Sequence, residues 1–133
     1  MLLDTSGLLC LHYQTEPLHT EASAAYKRAT IRLTHSYIIA EYVALGTARR
    51  FPRSSVLAFV VDLLDNPDIE TVWVDESLHR TAVDLLMGRE DKTYSLCDAL
   101  SFVLMPRDYR GIVYRSAFRA RRVYPLTATS RLT

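Results

Sequence analysis

The chain has 133 residues, enough for one domain that buries about two-thirds of its unfolded surface, and nothing in it suggests a second. With 49% hydrophobic and 23% charged residues it has an ordinary globular composition, and no apolar run reaches the length of a membrane span. The net charge of +1 is unevenly spread: residues 1–105 carry nine basic and fourteen acidic side chains, residues 106–133 seven Arg and one Asp. In chain order, Met1-Leu2-Leu3-Asp4 is a short apolar run ending in an acid, followed by Thr5, Ser6 and Gly7. It reads as a buried parallel strand with Asp4 at its carboxyl end, where open α/β sheets bind ligands.

The segment Leu8 to Tyr13 predicts a helix, and Glu16-Pro17 opens a second that runs through Ala29. Ile31 to Thr34 alternates and predicts the next strand. It leads into the Ser36 to Leu45 helix, which carries Glu41 and runs out near Arg49, Arg50 and Pro52. Another helix spans roughly Ser54 to Leu64 and stops at Asn66-Pro67. Ile69 to Val74 is β-rich and alternates, and Asp75 then caps a helix over Leu78 to Met87 that Gly88 ends. Ser95 is a good N-cap for the segment up to Met105, apolar nearly all round except for Asp98, and hence expected to be buried. Strands alternating with helices imply a mainly parallel sheet covered on both faces, completed by one or two strands after Met105.

Some chemistries drop out at once. The four glycines never cluster, which removes a P-loop or dinucleotide fingerprint. Cys10 and Cys97 lie among Leu residues without ligand spacing, so free buried thiols are expected rather than a disulfide or zinc site. His12, His19, His35 and His79 are scattered singly and read as surface or satisfied histidines. The N-terminus lacks a basic region before its apolar residues and places Asp4 among them, so it is no signal peptide and the expected location is the cytoplasm.

Three acids remain to be explained: Asp4, Glu41 and Asp98, each alone in apolar company on a different element. Charges go inside only when paired or metal-bound, and few bases are placed to pair all three. The other acids, such as Asp62, Asp65, Asp75-Glu76 and Glu90-Asp91, sit in solvated stretches. Asp98 has a bland reading, a capping box in which it reaches back to the Ser95 amide, and a sharper one, a carboxylate that joins other acids around a hard cation. Thr5 and Ser6 are candidates to hold the acids or a substrate, and equally turn or cap hydroxyls. Arg49, Arg50 and Arg53 are candidate contacts to a phosphate backbone, and equally a solvated helix end.

The stretches "LLDTSGLL", "IIAEYVAL" and "YSLCDALSFVLM", in that order and at family-like separations, resemble the PIN-domain family and, within it, the VapC-type toxins of bacterial toxin–antitoxin pairs. The resemblance covers Met1 to about Met105. It implies a PIN-like three-layer α/β fold, with a central, mainly parallel sheet of four or five strands flanked by helices. It also implies a metal-dependent endoribonuclease in which Asp4, Glu41 and Asp98 gather around magnesium or manganese. RNA would be the substrate, a cognate antitoxin protein the silencing partner, and a homodimer the usual assembly. The all-oxygen donor set suits these hard ions, which can activate water for attack on a phosphodiester. At about 5 Å and an effective dielectric near 20, each carboxylate pair would repel by roughly 3 kcal/mol without a cation.

The resemblance breaks in the basic tail. The family's fourth acid belongs to a T-D-x-H-F stretch, which this sequence lacks; aligned on Phe118, its Asp would fall at Arg115 and its His at Ala117. The codons that can encode Asp108 to Ala120 permit such a string when read one nucleotide later. A frameshift near Pro106 is therefore expected to have replaced the family ending, with Gly111 to Tyr114 still able to form a strand and Arg115 entering the acid pocket. Two other readings stand beside the ribonuclease: a catalytically inactive PIN-like module that keeps its partners, and a receiver-like signalling domain, for which no mid-chain phosphoacceptor Asp or downstream Lys is evident.

Overall fold

The structure is a computed structural model that describes residues 1–105, 114–115 and 122–124. The element order is β1 (Leu2–Leu3), α1 (Thr5–His12), α2 (His19–Arg28), β2 (Leu33–His35), α3 (Ser36–Ala48), α4 (Arg53–Asp65), β3 (Glu70–Val72), α5 (Glu76–Met87), α6 (Leu96–Leu104), β4 (Tyr114–Arg115) and β5 (Arg122–Tyr124). The sheet order is β3-β2-β1-β5-β4. β1 and β2, and β2 and β3, run parallel, while β5 is antiparallel to both β1 and β4. Four of the five strands thus share one direction, which makes this the mainly parallel α/β sheet expected. Helical crossovers between β1, β2 and β3 are what parallel pairing requires.

The helix expected from Leu8 starts earlier, because Asp4 caps it: its Oδ1 accepts from the Gly7 amide at 2.8 Å. Thr5 and Ser6, at most 4% exposed, form the first turn of α1 rather than a loop. The expected helix from Glu16-Pro17 begins only at His19, after two turn-type bonds from Glu16 to Tyr13 and from His19 to Glu16. In the tail, a strand forms at Tyr114–Arg115; Gly111 to Val113 and the proposed break at Pro106 lie outside the described residues.

Two clusters of apolar side chains hold the helices. The larger packs Leu3, Leu8, Leu33, Ile38, Tyr42 and Val56 between the sheet and α1, α3 and α4. The smaller joins α5 and α6 through Ala82, Ala99 and Leu100. α3 and α4 approach closely at Gly46, where a Cβ would stand 2.8 Å from a Val56 methyl, so this position needs a glycine. Most buried polar side chains among the described residues are paired, Tyr13 Oη and Thr71 Oγ1 being exceptions. His12 bonds Tyr42 Oη through Nδ1 and Ser55 Oγ through Nε2 and stacks on Phe59, tying α1 to α3 and α4. His19 Nδ1 donates to the Cys10 carbonyl at 2.7 Å, and His79 bonds Tyr37 Oη. These histidines are structural, as their isolation in sequence suggested.

Candidate active site

Strand β1 ends at Leu3, so Asp4 stands at the carboxyl edge of the sheet and at the amino end of α1. The helix α6 carries Asp98 in its first turn. The capping box is complete: the Asp98 amide donates to Ser95 Oγ at 3.0 Å, and the Ser95 amide donates to Asp98 Oδ2 at 3.1 Å. Both carboxylates therefore accept from backbone N–H groups left unpaired at the amino end of a helix. Both are half-buried. Glu41 differs from the expectation of apolar surroundings. It lies on the second turn of α3 with its side chain exposed, because the apolar residues around it in sequence, Ile38, Ile39 and Tyr42, turn to the core and leave position 41 on the outer side. α6 is likewise less enclosed than its composition suggested, with Ala99, Leu100 and Ser101 buried and the flanking residues half-buried.

Cys97 joins these acids. Burial is the largest influence on its thiol and pushes its pKa well up; a hydrogen bond to Glu41 follows, and then the charges of Glu41, Asp98 and Asp4. One half-buried thiol thus feels all three carboxylates, which come from the N-cap of α1, from α3 and from α6. Asp4 also contributes, after burial and Glu16, to the raised pKa of Cys10.

A second connection fixes α6. His35 ends β2 and caps α3, with Nδ1 accepting from the Ile38 amide at 3.2 Å. Its Nε2 therefore carries the proton and donates to Ser101 Oγ at 3.0 Å, while Ser101 Oγ donates to the Cys97 carbonyl at 3.0 Å. Burial lowers the His35 pKa to about 4, a hydrogen bond with the Cys97 backbone working the other way, so the ring is neutral near pH 7. This neutral histidine aligns the Asp98 helix with the end of β2.

The cations divide. Arg49 is held by Glu16 Oε1 at 3.0 Å and lies over the Phe51 ring at 4.9 Å, a structural occupation for its guanidinium. Arg50 is exposed and adopts a positive φ of 57° just past α3, a conformation that favours glycine. Arg53 is exposed at the start of α4.

Three carboxylates offer the oxygen donors that magnesium or manganese takes. Among the described residues, however, no three acid, His or Cys side chains are close enough to hold an ion directly. The donor chemistry fits a strongly hydrated divalent ion, since magnesium commonly keeps several waters and uses only one or two carboxylates. It does not fit a closed zinc-type site, which requires four converging ligands.

The sequence alone pointed to the three acids and read Cys97 as a free buried thiol and His35 as a surface or satisfied histidine, linking neither to the acids. Adjacency to Asp98 was the one signal for Cys97, and for His35 only its place at a strand–helix junction.

The structure is similar to the crystal structure of VapC20 from Mycobacterium tuberculosis, a sarcin–ricin loop cleaving toxin, with a TM-score of 0.69, 22% identity, and coverage of 78% of this chain and 79% of that one. The chain has a VapC-like PIN fold. No protein-family profile and no curated protein sequence matches it. At this level of identity the likeness is one of fold. In the VapC-like fold seen here, Asp4 caps α1, Glu41 lies on α3 and Asp98 on α6. No helix among the described residues is long and apolar enough to cross a membrane.

Proposed function

We propose that this chain is a metal-dependent endoribonuclease of the toxin kind, with Asp4, Glu41 and Asp98 as its metal-holding and catalytic carboxylates. The observation that carries the reading is a fold like that of a sarcin–ricin loop cleaving toxin, with Asp4 at the carboxyl edge of the sheet and Asp98 in the first turn of α6. Bound magnesium or manganese would activate a water and offset charge on the phosphodiester. The chain's own contribution is to hold the acids in register: α1 and α6 orient Asp4 and Asp98 by backbone amides, and the His35–Ser101 bond sets α6 against β2. Thr5 and Ser6, in the first turn after Asp4, border the site from α1. Arg50 and Arg53, more than Arg49, remain available to an RNA backbone. The partners are an RNA substrate, a cognate antitoxin protein and a second copy in a homodimer, and the place of action is the cytoplasm.

A sarcin–ricin loop RNA, the target of VapC20, is the first substrate to offer. Cleavage should require magnesium or manganese, stop in excess chelator, and fall at least a hundredfold in Asp98→Asn and Asp4→Asn variants that keep the wild-type melting temperature. A second reading, a folded but inactive PIN-like module, is favoured by the missing fourth acid and by the lack of three directly ligating groups among the described residues. Intact, folded protein that leaves several structured RNAs uncut in millimolar magnesium, yet binds a small antitoxin, would establish that second reading.

A further inference from the structure

Between α5 and α6 lies an open cleft of about 190 Å³ lined by Leu85, Arg89, Tyr94, Phe102 and Val103. Its walls are mainly apolar. Tyr94 and Phe102 form a tilted aromatic pair, with centroids 5.0 Å apart and planes at 57°. The cleft is tied closely to the candidate active site by the chain itself. Tyr94 directly precedes Ser95, whose hydroxyl caps the Asp98 amide, and Phe102 lies one helical turn beyond Asp98 on α6. Residues four apart on a helix are neighbours on one face.

We infer that this cleft takes a single unpaired base of the RNA substrate, stacked against the Tyr94–Phe102 pair, with the adjoining phosphate on Arg89. The inference rests on the ribonuclease reading and names how that site holds its substrate. Size favours one ring system, because the cleft is smaller than the ~300 Å³ at which pockets for drug-sized ligands begin. Aromatic faces are how proteins hold splayed-out bases of single-stranded RNA, and a guanidinium at the edge of an apolar wall complements a phosphate. A peptide side chain of similar size would gain little from Arg89, whereas a nucleotide uses both the rings and the charge.

The test uses the full chain, a short unpaired oligoribonucleotide carrying 2-aminopurine, and chelator to prevent cleavage. Wild-type protein should quench the fluorophore on binding. Tyr94→Leu should abolish the quench and weaken binding about tenfold, the order expected for one lost stacked base. Arg89→Gln should keep the quench at saturation, weaken binding, and reduce the dependence of log affinity on log salt by about one. Should Tyr94→Leu fail to fold, the salt dependence of exposed Arg89→Gln decides alone. Unchanged quench and affinity in Tyr94→Leu, or an unchanged salt dependence in Arg89→Gln, would overturn the inference. So would adenosine monophosphate binding as tightly as the oligonucleotide, or a loss of self-association in Tyr94→Leu with RNA binding intact, which would assign the cleft to a free nucleotide or to a second copy. Wild-type protein that quenches in chelator but never cleaves in magnesium would sink the ribonuclease reading alone; cleavage without quenching would sink only the cleft.

Discussion

Acidification should loosen the Asp98 helix through His35. In the folded chain its ring is neutral, with Nδ1 accepting from the Ile38 amide and Nε2–H donating to Ser101, and burial brings its pKa from 6.5 to about 4. A proton on Nδ1 would remove the α3 cap and place an unsolvated charge inside. The unfolded chain takes up this proton below about pH 6.5 and the folded chain only near pH 4, so the stabilising contribution is complete above pH 6.5 and is lost as pH falls through that window. A shift of this size corresponds to about 3 kcal/mol in full, most of which is lost by roughly pH 4.5. Urea denaturation between about pH 7 and pH 4.5 should show this fall in the wild type. His35→Asn can cap α3 with its carbonyl oxygen but does not titrate, so its stability should decline less by about that amount; carboxylate titrations are common to both proteins and cancel. RNA cleavage should fall over the same window in the wild type. Parallel stability profiles for the two proteins would refute the reasoning.

Asp98→Ala should cost only about 1 kcal/mol of stability, the loss of half a capping box, while removing magnesium-dependent stabilisation and RNA cleavage; thermal melts with and without magnesium read both effects, and a magnesium response unchanged by the substitution would show that Asp98 holds no ion. Because burial and the acids raise the Cys97 pKa, the thiol contributes stability below about pH 9 that is lost as pH rises further, and it should alkylate slowly at pH 8. Glu41→Gln should speed that alkylation several-fold and Asp65→Asn should not; equal rates in all three proteins would show that Glu41 does not act on Cys97. Arg50→Gly relieves a positive φ and should stabilise the fold by up to about 1 kcal/mol in urea denaturation, with weaker RNA binding if the guanidinium meets the backbone. Reading the gene beyond the Pro106 codon tests the frameshift: codons incompatible with T-D-x-H-F in the next frame would dispose of it, and restoring that frame should raise magnesium-dependent cleavage of RNA.

Local signals in the sequence marked most of the fold. Ser95, Asp75 and Gly88 predicted helix limits that the structure keeps, because caps are local chemistry that tertiary packing seldom overrides. The start of α1 was missed since Asp4 ends a strand and caps a helix at once, leaving no linker to read. Glu41 shows the limit of composition as a guide: apolar neighbours along the chain need not be neighbours across a helix, and one charged position per turn faces outward at little cost. The bond from His35 to Ser101 across 66 positions is a long-range contact that no local pattern encodes.

The two readings of Asp98, helix cap and proposed metal-holding acid, do not exclude one another, because the cap engages its Oδ2. The amino ends of α1 and α6 supply the amide donors from which Asp4 and Asp98 accept, and these contacts need no cation. The third acid, Glu41, is exposed on α3. The amide contacts hold Asp4 and Asp98 with or without a cation, so a stable metal-free protein says nothing against a metal-dependent reaction. What does discriminate is the response to magnesium of a variant that keeps the cap and loses the charge. Asp98→Asn meets that condition, since its carbonyl oxygen can still accept from the Ser95 amide. Wild-type stability combined with a lost magnesium response in that variant would separate the two roles of one side chain.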